Sequence, residues 1–189
     1  MIRGTLAELG YPGLPEKAAL VRSIFDDGAL LLAELLDDPR LGAATMAAAD
    51  FAEVVGWFAG AARGKPARGT TAKPHATLRR CRQLLEDVTT RVQRAERHGG
   101  MLLTHAVVPA YPELINRWCS GDDMAALCRD YRLLEGDVAT HVERTRQMLR
   151  QIARATAPLA AYADINAVAI RADQSLAARG SVGDEEQLQ

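Results

Sequence analysis

The sequence is short of the features that most often announce a chemistry. A phosphate-binding loop needs glycine-rich backbone ahead of Gly-Lys-Ser/Thr. The nearest stretch, "GAARGKPARG" at 60–69, has the wrong spacing and puts Pro66 where the magnesium-binding hydroxyl belongs. Nucleotide hydrolysis is therefore not expected of this chain. Cysteine is scarce: Cys81, Cys119 and Cys128 are odd in number, far apart and set in helical patterns, which reads as reduced thiols acting as small buried hydrophobes. The four histidines, His75, His98, His105 and His141, form no short-spaced pair with each other or with cysteine, so no metal and no cofactor is expected. No serine sits in a GxSxG turn. The adjacent acids Asp26-Asp27, Asp37-Asp38 and Asp122-Asp123 lie at helix starts or ends, where capping accounts for them better than acid/base catalysis. No apolar run is long enough to span a bilayer and no basic leader precedes one, so the expected location is cytoplasmic, with no membrane partner. Period-two alternation is missing throughout, which removes any significant sheet.

What remains is helical. With 189 residues and 48% apolar side chains the chain can bury one good core, and its net charge of -1 offers nucleic acid no global attraction, only what a local patch supplies. Three-and-four spacing recurs in nearly every segment, which predicts an all-α bundle of about seven or eight helices. The chain opens with a turn or two at 5–9, then "LPEKAALVRSIF", then "DGALLLAELLDD" with Asp27 as cap. "TMAAADFAEVVGWFAGAA" follows with Thr45 as cap, and "RGKPARGTTAKP" at 63–74 reads as a connecting loop. A long helix over 75–97 has Leu78, Cys81, Leu85, Val88, Val92 and Ala95 as its inward seam, and Gly99-Gly100 end it. After it come a helix broken near Pro109 and Pro112, a short one over "DDMAALCRDY", another over 138–154, and a terminal one over 159–180 before a polar tail. The helices at 75–97 and 138–154 are expected to be the long central pieces. Trp57, Phe58 and Trp118 read most simply as core or docking residues.

The segment "YRLLEGDVATHVERTRQMLRQIARA" at 131–155 carries the functional question. Glu135 and Gly136 interrupt the pattern and Asp137 is the expected N-cap. Val138, Val142, Thr145, Leu149 and Ile152 form one stripe, directed inward. His141, Arg144, Met148 and Gln151 form a second, which faces solvent, a neighbouring helix or a ligand. On residue type alone Arg144 is a solvated or salt-bridged surface arginine, and His141 a neutral packing or surface histidine. The arginines at 79, 80, 82, 91, 94 and 97 are interleaved with Glu86, Asp87 and Glu96, with Asp87 and Arg91 at helix-pair spacing, and read as a solvated face.

Several stretches in order resemble one family. "LAELGYPGLPEKAALVRSI" at 6–24 is similar to a Leu-Gly-Tyr end of a winged helix followed by an "LTxKGxxAxxI" pattern, with Lys17 at the lysine and Ala18 at the glycine. "GALLLAELL" parallels "ELLLTELL", "WCSGDDMAAL" fits "WxxGxxFxxI" through Trp118 and Gly121, and "EGDVATHVERTRQMLRQIARA" fits "EGSIIRxIRRLEELLRQIxxA". "AARGSV" falls where the family ends on an Arg-Gly-Val-Val type segment. Together these resemble the DSHCT domain, the helical C-terminal domain of Ski- and Mtr-type DExH-box RNA helicases and of bacterial HelY-type relatives. The resemblance implies a remnant of a preceding winged-helix domain at 1–13, a DSHCT-like domain over 14–182 and a tail at 183–189, with the chain a fragment, a split gene product or a protein with a misplaced start. It implies a helicase motor core as partner, in cis or in trans, and single-stranded RNA running along the helix after the Glu-Gly step. Residue by residue, Glu135-Gly136 match the Glu-Gly, Arg144 the second of two paired basic positions implicated in RNA contact, and Arg150-Gln151 the Arg-Gln pair. His141 lies on the same stripe as these. Thr140 stands at the family's first arginine and Glu143 at the first of the paired basic residues. Those two departures support a second expectation, a stand-alone helical adaptor or dimer that binds only protein.

Overall fold

The computed structural model describes residues 2–13, 15–24, 28–59, 75–100 and 104–180. Among them it shows nine α-helices and four short 3-10 turns, with no strand. The helices are α1 (Ile2–Glu8), α2 (Pro15–Ser23), α3 (Ala29–Asp37), α4 (Ala48–Ala59), α5 (Ala76–His98), α6 (Leu114–Ser120), α7 (Met124–Tyr131), α8 (Glu135–Thr156) and α9 (Ala163–Gly180). The all-α bundle is therefore as expected, with nine helices rather than seven or eight. The loop at 63–74, the Asp27 cap and the tail at 183–189 lie outside the described residues.

The centre of the bundle is α4, whose residues from Asp50 to Phe58 are all buried. Its two carboxylates, Asp50 and Glu53, are buried against partners on other elements, so no face of this stretch is left to water, and α4 packs against α5, α6, α8 and α9. This corrects the expectation that the two longest helices form the middle: α5 and α8 are long but amphipathic, so they flank α4 and keep one side in water. The α5 seam is otherwise as read, with Leu78, Cys81, Leu85, Val88, Val92 and Ala95 all buried. Gly56 is required for the tight crossing at the centre. A Cβ there would stand 2.9 Å from Ile115 Cγ1 on α6 and 3.4 Å from Thr145 Oγ1 on α8.

Several boundaries move for local reasons. Thr45 belongs to a 3-10 turn (Ala43–Thr45) and α4 begins at Ala48. The segment 104–110 has no regular secondary structure where a helix is expected: Pro109 and Pro112 each lack an amide hydrogen and restrict the residue before them, which delays helix α6 until Leu114. Asp123 caps α7 by accepting from the Ala125 amide at 2.7 Å, and Asp38 caps the turn Pro39–Leu41 by accepting from the Arg40 amide at 3.1 Å, both in keeping with the capping reading.

A fully buried carboxylate joins α4 to α6. Glu53 accepts from Trp57 Nε1 at 2.8 Å, from the Glu113 amide at 2.6 Å and from the Asn116 amide at 3.1 Å. It supplies from another helix the cap that Glu113, held at φ 68, does not give to the first turn of α6. A second buried group lies where α2 meets α3. Lys17 sits 2.7 Å from Glu34 and 3.0 Å from Asp37, over the ring of Tyr11. The lysine singled out in the sequence is thus an internal cross-brace.

Helices α8 and α9 run antiparallel. Arg146 and Arg150 reach Asp173, while further along Asn166 donates to the Ala153 carbonyl at 2.6 Å.

Candidate nucleic-acid interface

Helix α8 starts three residues earlier than its sequence suggests, at Glu135 rather than Val138. Glu135 and Gly136 are its first turn rather than an interruption, and the residue at the N-cap is Leu134. Asp137 caps from inside, as the third helical residue, accepting from the Leu134 amide at 3.2 Å. Exposed Glu135 and Asp137 both sit near the positive end of the helix dipole, which favours extending the helix through them.

The inward stripe is as read: Val138, Val142, Thr145, Leu149 and Ile152 are all buried. The second stripe is split between core and solvent. His141 and Met148 are buried, Gln151 is half-buried and Arg144 is exposed. The exposed ridge of α8 instead passes through Thr140, Arg144, Gln147 and Arg154.

His141 is 5% exposed, and its ring meets that of Tyr111 edge to face, with centroids 5.3 Å apart. Burial first, and the positive charge of Arg144 second, push its pKa down to about 4. At neutral pH it is an uncharged packing group.

The arginines of α8 divide sharply. Arg146 binds Asp173 at 3.0 Å and Glu143 at 3.4 Å; Arg150 binds the same two carboxylates at 3.1 and 3.7 Å. Glu143, Arg146, Arg150 and Asp173 form a clasp between α8 and α9, so Glu143 neutralises a cation locally. Arg154 donates to the Arg150 carbonyl at 3.2 Å. Arg144 makes no hydrogen bond or ion pair with a described residue. It is a solvated guanidinium beside a neutral histidine.

The arginines of α5 are mostly solvated, but their pairing differs from the expected one. Arg91 binds Glu34 at 3.2 Å and Asp38 at 3.4 Å rather than Asp87, which instead pairs with Arg40 at 3.0 Å. Residues three or four apart compete with whatever crosses them, and here α3 and the turn after it present two buried carboxylates to Arg91. Arg82 lies over the ring of Trp57.

The remaining candidates for chemistry are dispersed. His75 pairs with Asp50 and His98 with Glu8, while His105 is exposed. Among the described residues no cluster of His, Cys, Asp or Glu is arranged to hold a metal ion. Cys81 is fully buried and Cys119 and Cys128 are partly so, all with free thiols, and burial raises the pKa of each. No described helix is long and apolar enough to cross a membrane.

The Tyr111–His141 contact and the Asp173 clasp have no signature in the sequence, because the partners stand on different elements, 27 and 23 positions apart in the clasp.

Residues 13–176 match the DSHCT (NUC185) domain family. No curated protein matches the chain. The match covers most of the sequence, and the chain belongs to the DSHCT family, the C-terminal helical domain of Ski-type helicases.

Proposed function

We propose that this DSHCT domain is the accessory part of an ATP-dependent RNA helicase, packing on the motor core and holding single-stranded nucleic acid on the exposed ridge of α8, while hydrolysis resides in the motor. The observation that carries this reading is Arg144. It occupies the position that matches the family's basic contact, it is exposed, and unlike Arg146 and Arg150 it is not committed to a carboxylate. An arginine keeps its charge when partly desolvated and meets both phosphate and base faces. Buried His141 holds the floor beneath it. Gln151 lies two turns further along, about 10 Å at 1.5 Å per residue, half-buried beside the same ridge. Arg150 contributes the half-exposed remainder of a guanidinium already shared with Asp173 and Glu143.

A second reading, a protein-binding adaptor, draws on Leu134, which stands 76% exposed at the start of α8, and on the neutralising Glu143. One experiment separates the two. A Ski/Mtr-type motor lacking its own C-terminal domain is assayed for RNA-dependent ATP hydrolysis with and without this chain. A raised rate, abolished by Arg144→Glu, supports the helicase reading. Co-elution with the motor and an unchanged rate supports the adaptor, and neither binding nor stimulation refutes both.

A further inference from the structure

Tyr111 is placed unlike the other tyrosines that have structural partners. Tyr131 is buried and its hydroxyl donates to the Pro112 carbonyl; Tyr162 is buried and donates to Asp37 at 2.7 Å. Tyr111 is only half-buried and its hydroxyl bonds to no described residue. Its backbone is nevertheless fixed on both sides. At the far end of the non-helical segment Thr104 is held by Glu96, through its amide at 2.9 Å and its hydroxyl at 2.6 Å, and by Gln93 at 3.0 Å. Just after it, Tyr131 holds the Pro112 carbonyl and Glu53 the Glu113 amide. The ring itself rests edge to face on His141. One helical turn on from His141 stands Arg144, exposed and unpaired among the described residues.

A partly open aromatic ring and a solvated guanidinium that share one neighbour, His141, make the combination that binds single strands without reading sequence: the ring takes a base face and the cation the adjoining phosphate. We propose that Tyr111 is a base-stacking platform, and that together with Arg144 it forms a one-nucleotide step at the α8 ridge. The segment carrying it comes from outside α8, so the strand is held between two elements rather than laid along one. The step rests on the reading of α8 as a nucleic-acid surface.

The test measures binding of the full chain to a fluorescein-labelled oligouridine and to an abasic ribose-phosphate chain of equal length. Tyr111→Ala is expected to weaken oligouridine binding by about tenfold or more, the range of one lost base stack, and to leave the abasic chain unaffected. Arg144→Gln is expected to weaken both ligands alike, and Tyr111→Phe to retain both. Tyr111→Leu keeps apolar packing on His141 without an aromatic face, and circular dichroism verifies its fold, so a collapse of the alanine variant does not shield the idea. If Arg144→Gln loses affinity while Tyr111→Ala and Tyr111→Leu do not, or if they lose it equally on both ligands, the stacking step is wrong and the α8 reading stands. If the unaltered chain binds neither ligand, both fall.

Discussion

Glu53 is the residue whose replacement tests the packing around the α6 turn most severely. It is 1% exposed and its carboxylate accepts from Trp57 Nε1 and from the amides of Glu113 and Asn116. Glu53→Ala leaves three donors without an acceptor, each costing roughly 1 to 3 kcal/mol when buried. Glu113 and Asn116 are themselves half-buried, so water reaches part of that turn and the loss falls at about 3 kcal/mol, the low end for breaking a buried charged network. For a chain of this size that is about 6 to 12 °C in Tm. Glu53→Gln is expected to be milder, because burial is the largest influence on the carboxyl and raises its pKa above the ordinary 4.5 in spite of the donors. The sign follows from linkage. An acid whose folded pKa is raised binds its proton more tightly when folded, so its contribution is greatest at low pH and is lost as pH climbs from the unfolded pKa to the folded one. Urea unfolding of the wild type and both variants from pH 4 upward measures this. Wild type should lose ground relative to Glu53→Gln as pH rises, while Glu53→Ala stays below both. A Glu53→Ala protein as stable as the wild type, or a wild-type advantage over Glu53→Gln that grows with pH, refutes the reasoning.

His141 has the opposite linkage: a folded pKa of about 4 lies below the unfolded value near 6.5, so its neutral form stabilises the fold above the latter and that stability drains as pH falls toward the former, by up to about 3 kcal/mol. His141→Leu should flatten the loss seen in urea titrations between those limits. Arg146→Glu faces Asp173 at 3.0 Å and should lower stability by about 1 to 3 kcal/mol in thermal melts, with Asp173→Arg in the same chain restoring part of it. Thr140→Arg adds a cation at an exposed position where the present side chain donates only to the Gly136 carbonyl, and should tighten RNA binding severalfold at low salt in anisotropy titrations. Glu143→Arg, by contrast, breaks the clasp with Arg146 and Arg150, and should lower Tm whatever it does to binding.

The parts of the fold that could be read from the sequence are those with one apolar face. The α5 seam and the inner stripe of α8 repeat at three and four for several turns, and every residue assigned inward is buried. Helix α4 is legible as a helix, but its place at the centre is not, because Asp50 and Glu53 stand three apart on one face like the polar side of a surface helix, and only their partners on other elements show that they are buried. The start of α6 depended on two prolines and on a carboxylate sixty positions away, and neither Glu53 nor its partners announces that bond locally. In the candidate site the sequence supplied the position of Arg144 through its match to a family pattern. It does not reveal that Arg150 is bound to Asp173 or that His141 meets Tyr111, since both depend on what α9 and the segment before α6 bring alongside.

The most direct test is the affinity of the full chain for single-stranded RNA after charge reversal at Arg144. Arg146 is unsuitable as a charge control because it is bound to Asp173; Arg79, exposed on α5, changes the net charge equally without touching α8. Fluorescence anisotropy is measured at two salt concentrations for Arg144→Glu and Arg79→Glu, with circular dichroism on each. The expected result is a loss of about 1 to 3 kcal/mol for Arg144→Glu, roughly ten- to a hundredfold in affinity, a salt dependence shallower by about one, and a much smaller loss for Arg79→Glu. Equal losses from the two reversals, or no binding by the unaltered chain, would contradict the assignment of α8 as the nucleic-acid surface.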